Sequence, residues 1–264
     1  MKVISLGLGV QSTTMYLMSS LGELDRADHA VFADPGAEHP ETYKLLEYVL
    51  HWQQENDGVP IHVVRKSLLN DVLNQSNSTG QKMVAIPAYV KHPSGKDGLL
   101  RRQCTNEYKI MPVMKKIREL YGLKPRQRLP QAELWLGIST DEAHRMKDNQ
   151  IKAMTNYYPL VEKQFNRNDC RKWLRINGVR IPVKSACVFC PYSSNTMWRN
   201  LKEQHPNSFS IAVDVDKKIR TSLEVRKNPN PVFLHRSLKP LEEAYLDEDQ
   251  QDLFGEECEG YCGL

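Results

Sequence analysis

The chain has 264 residues, 40% of them hydrophobic and 26% charged, with a formal net charge of +4. That length suffices for a sizeable core, and the balance excludes a disordered or fibrous protein. No apolar run approaches the ~18 residues that span a bilayer, and Met1-Lys2 leads into a strand-like stretch without a secretory h-region, so a cytosolic protein without membrane partners is expected.

The first predicted element is Lys2–Ser20. It reads as a short apolar strand (Val3, Ile4, Leu6), a glycine turn at Gly7 and Gly9, and a helix opening at Ser12, Thr13 and Thr14. Glycine permits φ > 0 and close ligand approach, and the N–H groups at a helix start attract an anion, so this is a candidate phosphate cradle. The Walker loop is excluded because no Gly-Lys-Ser/Thr follows, and the dinucleotide fingerprint because the third glycine is missing.

His29–Asp34 reads as a second buried strand, followed by the turn Pro35-Gly36 and a helix from about Glu41. A third strand at Ile61–Val64 and a helix from about Ser67 to Asn74 come next. This alternation implies a parallel sheet with ligands at the carboxyl ends of its strands, the edge that Gly7–Thr14 and Asp34–Glu38 share. Residues 76–103 break any period and carry Lys82, Lys91, His92, Lys96, Arg101 and Arg102, which suggests a lid or an anion-binding loop. Cys104-Thr105 leads into a helix through Tyr121, interrupted or started at Pro112. Glu133–Gly137 reads as another strand, its exit carrying Asp141, Glu142, His144 and Arg145. Helices are expected near Asp169–Leu174, Thr196–Gln204 and Phe209–Val225, and an acidic, mobile tail from Asp247 to Leu264.

Six cysteines in an intracellular chain argue for metal or redox chemistry over a disulfide framework. Cys187-Val-Phe-Cys190-Pro191 places two thiols within reach of one metal from a single turn. The remaining ligands would come from elsewhere, with Cys104 the best candidate, then Cys170, then Cys258 and Cys262. Spacing leaves iron–sulfur, zinc and a metal-free redox dithiol open. The sequence pI near 8.6 permits a polyanionic partner.

Six segments, in order, resemble the phosphoadenosine phosphosulfate (PAPS) reductase family of the adenine-nucleotide α-hydrolase (PP-loop) superfamily. They are Ser5-Leu-Gly7-Leu-Gly9-Val-Gln11-Ser12-Thr13, Asp34-Pro-Gly36-Ala-Glu38-His-Pro40-Glu41-Thr42-Tyr43, Arg102-Gln-Cys104-Thr105-x-x-Tyr108-Lys109-x-x-Pro112, Gly137-Ile-Ser-Thr-Asp141-Glu142-x-His-Arg145, Tyr158-Pro159-Leu160 and Cys187-x-x-Cys190-Pro191. The terminal Glu257-Cys258-Glu-Gly260 is similar to the family's Glu-Cys-Gly end.

The resemblance implies an α/β fold: a twisted parallel sheet of about five strands with helices on both faces. It divides the chain into a nucleotide-binding domain (1–160), a carboxyl-terminal helical, irregular, cysteine-bearing region (161–246) and a cysteine-containing tail (247–264). It places a nucleotide among Ser5, Gly7, Gly9, Gln11, Ser12 and Thr13, with Asp34, Gly36 and Glu38 near the adenosine. Gly137, Asp141, Glu142 and Arg145 complete the site, and Arg102, Lys109 and Arg145 would neutralise the anion. Cys104, Cys187 and Cys190, with Cys170 as a possible fourth ligand, would hold an iron–sulfur cluster of the 4Fe-4S type, zinc being the other metal.

The resemblance leads first to sulfonucleotide reduction, in which Cys258 attacks PAPS, Lys109 assists and a thioredoxin-like thiol, or Cys262, resolves the intermediate. Its alternative is an ATP-dependent sulfurtransferase that adenylates tRNA or DNA and releases pyrophosphate, using Mg²⁺. A third reading is a nucleotide-binding module with structural zinc. Gln11 stands where pyrophosphate-releasing members carry an aspartate, and a neutral amide gives Mg²⁺ no carboxylate charge.

Overall fold

The computed structural model describes residues 1–77, 79–81, 86–220 and 230–247. Lys82 and the tail beyond Asp247, with Cys258 and Cys262, lie outside the described residues. Three strands open the chain: β1 (Lys2–Ser5), β2 (His29–Asp34) and β3 (Ile61–Arg65), joined by helices α1 (Val10–Leu21) and α2 (Pro40–Glu55). An excursion follows through α3 (Leu68–Leu73), the short strands β4 (Tyr89–Val90) and β5 (Gly98–Leu99), a π-turn at Asn106–Ile110 and α4 (Met111–Leu120). The sheet resumes with β6 (Ala132–Trp135) and β7 (Met154–Tyr157).

All pairings in this five-stranded sheet are parallel, in the order β3-β2-β1-β6-β7. The fold is therefore α/β, with a parallel sheet between helical layers. Its order reverses between β1 and β6, which leaves a crevice at their carboxyl ends where doubly wound sheets place ligands.

Alternation along the strands sorts side chains to two faces. Ile4, Ala30, Phe32 and Trp135 pack with Tyr16 and Leu17 of α1 on one face. Val3, Val31, Ala33 and Leu134 pack with Val113 and Ile117 of α4 on the other. Each such fully buried aliphatic or aromatic side chain contributes about 2 kcal/mol of transfer free energy.

The remaining elements are α5 (Pro159–Glu162), α6 (Arg167–Ile176), α7 (Asn195–Gln204), α8 (Pro206–Arg220) and β8 (Val232–Phe233). A further core joins Leu68 and Val72 of α3 to Val90, Trp198, Val215 and Val232. It thus combines the early excursion with the end of the chain, across the boundary expected at residue 160. Helix α6 instead belongs to the sheet unit, where Cys170 and Leu174, four residues apart, are buried with α1.

Polar side chains fasten this second core. Asp216 Oδ1 accepts from the Leu234 N–H (2.8 Å), and its Oδ2 accepts from the Leu241 N–H (3.1 Å) and Arg220 (2.9 Å). His235 pairs through Nε2 with Asn195 Oδ1 (3.0 Å) and through Nδ1 with Ser237 Oγ (2.7 Å). Burial, reinforced by Arg236, pushes the His235 pKa down to about 4. No helix of the described residues is long and apolar enough to cross a membrane.

Candidate functional site

The turn after β1 leads directly into α1, whose cap is Gly9, with φ −86°. Ser12 Oγ accepts from the Gly9 N–H (3.2 Å), fixing the entry to the helix. Neither Gly7 nor Gly9 takes the left-handed conformation expected of this turn. Leu8 does, at φ 58°, although its side chain is fully buried. Burial in the sheet core offsets a backbone strain of about 1–3 kcal/mol, so the turn is held in shape by its leucine.

Gln11 and Thr13 are fully buried in the first turns of α1. Gln11 Nε2 donates to Ser139 Oγ (3.4 Å) in the loop after β6, but Gln11 Oε1 and the Thr13 hydroxyl have no hydrogen-bond partner among the described residues. Unpaired buried acceptors and hydroxyls cost about 1–3 kcal/mol each, a cost that a ligand can remove.

Gly137 brings the β6 loop onto this helix start. A Cβ there would lie 2.7 Å from the Ser12 nitrogen and 2.8 Å from its Cα, contacts no side chain can make. The crevice at the switch point is thus built by Gly7–Thr13 on one side and Gly137–Ser139 on the other. Ser139 is a residue that the sequence motifs did not single out as a contact.

At the end of β2, Asp34 is turned inward. Its Oδ1 accepts from the Gly36 N–H (2.8 Å) and the Tyr43 hydroxyl (2.8 Å), and Arg65 lies 3.3 Å from Oδ2. Burial and then the Asp34 hydrogen bond raise the Tyr43 pKa, keeping the phenol protonated as a donor. The carboxylate expected beside the adenosine therefore shapes the turn through Gly36, which sits at φ 75°. Beyond it, His39 accepts from the Glu41 N–H through Nδ1 (3.2 Å) and caps α2. Burial, with His205 stacked edge-on at 4.9 Å, lowers its pKa and favours the neutral ring.

Glu38 joins three parts of the chain. Its Oε1 lies 2.9 Å from Lys109 Nζ on the π-turn, with the carboxylate fully buried. Its Oε2 accepts from Ser185 Oγ (3.2 Å), and its backbone bridges antiparallel to Cys187. The neighbouring bonds Val188 N–H to Ala37 O (2.8 Å) and His39 N–H to Ala186 O (3.1 Å) dock the cysteine segment along the same edge. Cys187 and Cys190 then close a turn through the Cys190 N–H and Cys187 O (2.9 Å). Lys109 and Val113 also roof a cavity of about 30 Å³ above Ser5, Gly7 and Phe32, room for about one water molecule.

The other expected anion binders are engaged with protein partners. The Arg102 guanidinium lies 5.0 Å over the Tyr192 ring, beside the cysteine turn. Arg145 contacts Glu142 (2.7 Å), Arg167 lies 3.8 Å from the same carboxylate, and the Arg167 N–H donates to Asp141 Oδ1 (3.0 Å). Asp141, Glu142 and Arg145 thereby fasten the β6 loop to the start of α6.

The ligand set expected for an iron–sulfur cluster or zinc is Cys104, Cys187 and Cys190, with Cys170 as a possible fourth. No group of three or more His, Cys, Asp or Glu side chains among the described residues is arranged for a metal ion. Cys104 and Cys187 pack against the second core, whereas Cys170 is a fully buried small apolar residue of the sheet core. The i, i+4 pairing of Cys170 with Leu174 is the sequence signal that places it there.

No protein-family model matches the chain, and no curated protein matches it. Among solved structures it is similar to the U34-tRNA thiolase NcsA from Methanococcus maripaludis with its 4Fe-4S cluster. The two share 12% identity and a TM-score of 0.42 over 82% of this chain and 70% of that one. At that level neither family nor activity carries over, and the site's own geometry decides.

Proposed function

We propose that the chain is an ATP-dependent sulfurtransferase of the PP-loop kind, acting on a nucleic acid such as tRNA or DNA. The observation that carries nucleotide binding is the buried pair Gln11 Oε1 and Thr13 Oγ1, both without partners among the described residues, at the start of a helix at the switch point. The helix N–H groups and the Thr13 hydroxyl suit phosphate oxygens, and Gly137 leaves room for the loop that faces them. Lys109 supplies positive charge at the same edge, held in position by Glu38.

Adenylation requires an acceptor oxygen to attack the α-phosphorus while pyrophosphate leaves, after which a sulfur nucleophile displaces AMP. Cys187 and Cys190 are the residues we assign to sulfur handling, because their turn is docked on residues 37–39 at the edge that bears the cradle. Mg²⁺ would be held chiefly by the phosphates, with few protein ligands.

The test is pyrophosphate release from ATP in the presence of bulk tRNA or DNA, comparing the native chain with Gly137→Ala. Release by the native chain and its loss in the variant are expected; no release from either nucleic acid refutes the reading.

Sulfonucleotide reduction is the second reading, favoured by the neutral Gln11 at the cradle. Its nucleophile Cys258 lies outside the described residues. Sulfite release from PAPS with a thioredoxin-like thiol would establish it in place of the first.

A further inference from the structure

The face of the sheet that α4 covers carries a groove of about 710 Å³ between the end of β3, α4 and the loop 149–151. A hollow of about 630 Å³ continues it along residues 128–131 and 151–153, with Arg118 and Ile151 lining both. Arg65, Lys66, Lys115, Arg118, Arg128 and Lys152 line the pair, Arg65 being paired with Asp34, and among the described residues no Asp or Glu lines it. Some of these cations are positioned by the protein itself: Lys66 Nζ donates to the Glu107 carbonyl (3.0 Å), and Arg118 donates to the carbonyls of Lys124 (3.2 Å) and Gln127 (2.8 Å). Like charges concentrated along one path repel one another and attract a polyanion.

Between the cations lie the amides of Asn106, Asn149 and Gln150 and the apolar side chains of Met111 and Ile151, which are 56% and 42% exposed. Cations suit phosphates, amides suit the edges of bases and apolar atoms suit their faces. The π-turn ties this path to the crevice. Asn106 and Ile110 line the groove, while Lys109 of the same turn roofs the space above Ser5 and Gly7.

We propose that this groove holds a single-stranded segment of the nucleic acid that the enzyme modifies, an assignment that rests on the sulfurtransferase reading. Hollows of this size take a base or a small ligand, not a paired and stacked duplex, and only an unpaired strand presents free base edges to the amides. The strand runs along α4, with its reactive base delivered at the π-turn.

The experiment is fluorescence anisotropy of a labelled single-stranded oligonucleotide with the full chain across a salt series. The variant is Lys115→Ala/Arg128→Ala/Lys152→Ala, three groove cations that lie apart from the cradle. The native chain is expected to bind, and the variant to bind at least about tenfold more weakly, with a log–log salt slope lower by about 2, or about 0.7 per phosphate contact. ATP binding by the variant reports that it is folded. The proposal is overturned if the native chain does not bind the strand or if the folded variant binds it as tightly. Equal affinity for a duplex of the same sequence, or displacement of the strand by polyglutamate as readily as by unlabelled strand, also overturns it. Strand binding that needs the groove cations, from a chain that releases no pyrophosphate, supports the groove and refutes only the sulfurtransferase reading.

Discussion

The crevice of the sheet unit and the junction around Asp216 and His235 in the second core treat buried polar groups in opposite ways, although the second core also leaves Trp198 Nε1 without a partner among the described residues. In the second core Asp216 and His235 are matched to named partners from α7, α8 and the chain that follows, so their polarity fastens separate segments together. At the crevice of the sheet unit Gln11 Oε1 and Thr13 Oγ1 remain unmatched among the described residues. Satisfied buried polarity holds a fold, whereas unsatisfied buried polarity at a crevice waits for a ligand.

Glu38 stands between the two regions, and removing it gives the largest expected effect. Glu38→Ala leaves Lys109 without its carboxylate and frees Ser185, and should cost about 3–5 kcal/mol in urea unfolding. A loss below about 1 kcal/mol would mean that the regions are not joined there.

A smaller effect belongs to the second core alone. His235 has its pKa depressed to about 4 against about 6.5 in the unfolded chain, so between those values the unfolded state binds more protons. Its contribution is fully present above pH 6.5 and lost as pH falls toward 4, by about 3 kcal/mol in total. His235→Gln should flatten that part of a stability–pH curve measured by denaturant titration.

The smallest effect on stability, and the sharpest test of the contrast, is at Thr13. Thr13→Val removes a buried hydroxyl with no partner among the described residues, so stability should rise by about 1 kcal/mol while ATP affinity, read by calorimetry, falls about tenfold. A large loss of stability with unchanged affinity would assign the hydroxyl to the fold instead.

The sheet unit is legible because its signals are local. The apolar run His29–Asp34 forms the strand with the bounds read from sequence, and Pro40 and Ser67 mark their helix starts. The strand Met154–Tyr157 carries only one fully buried residue and two polar ones, so no apolar run marks it in the sequence. The second core has no local signature, since α3 and α8 meet across more than a hundred residues of sequence.

The site divides the same way. The cradle, its facing Gly137 and the Asp34–Tyr43 segment are readable from motifs, whereas Arg65 beside Asp34 and Ser185 on Glu38 lie in segments whose proximity only the fold creates.

The docking of residues 185–188 against 37–39 also sets an order of assembly on the ribosome. Residues 37–39 emerge early, while their partners are made almost 150 residues later. Through most of synthesis that edge offers open N–H and C=O groups and a carboxylate that lacks part of its surroundings. The cysteine turn is therefore the clasp that closes last, and a chain truncated before it should be caught by chaperones even though its sheet is already complete.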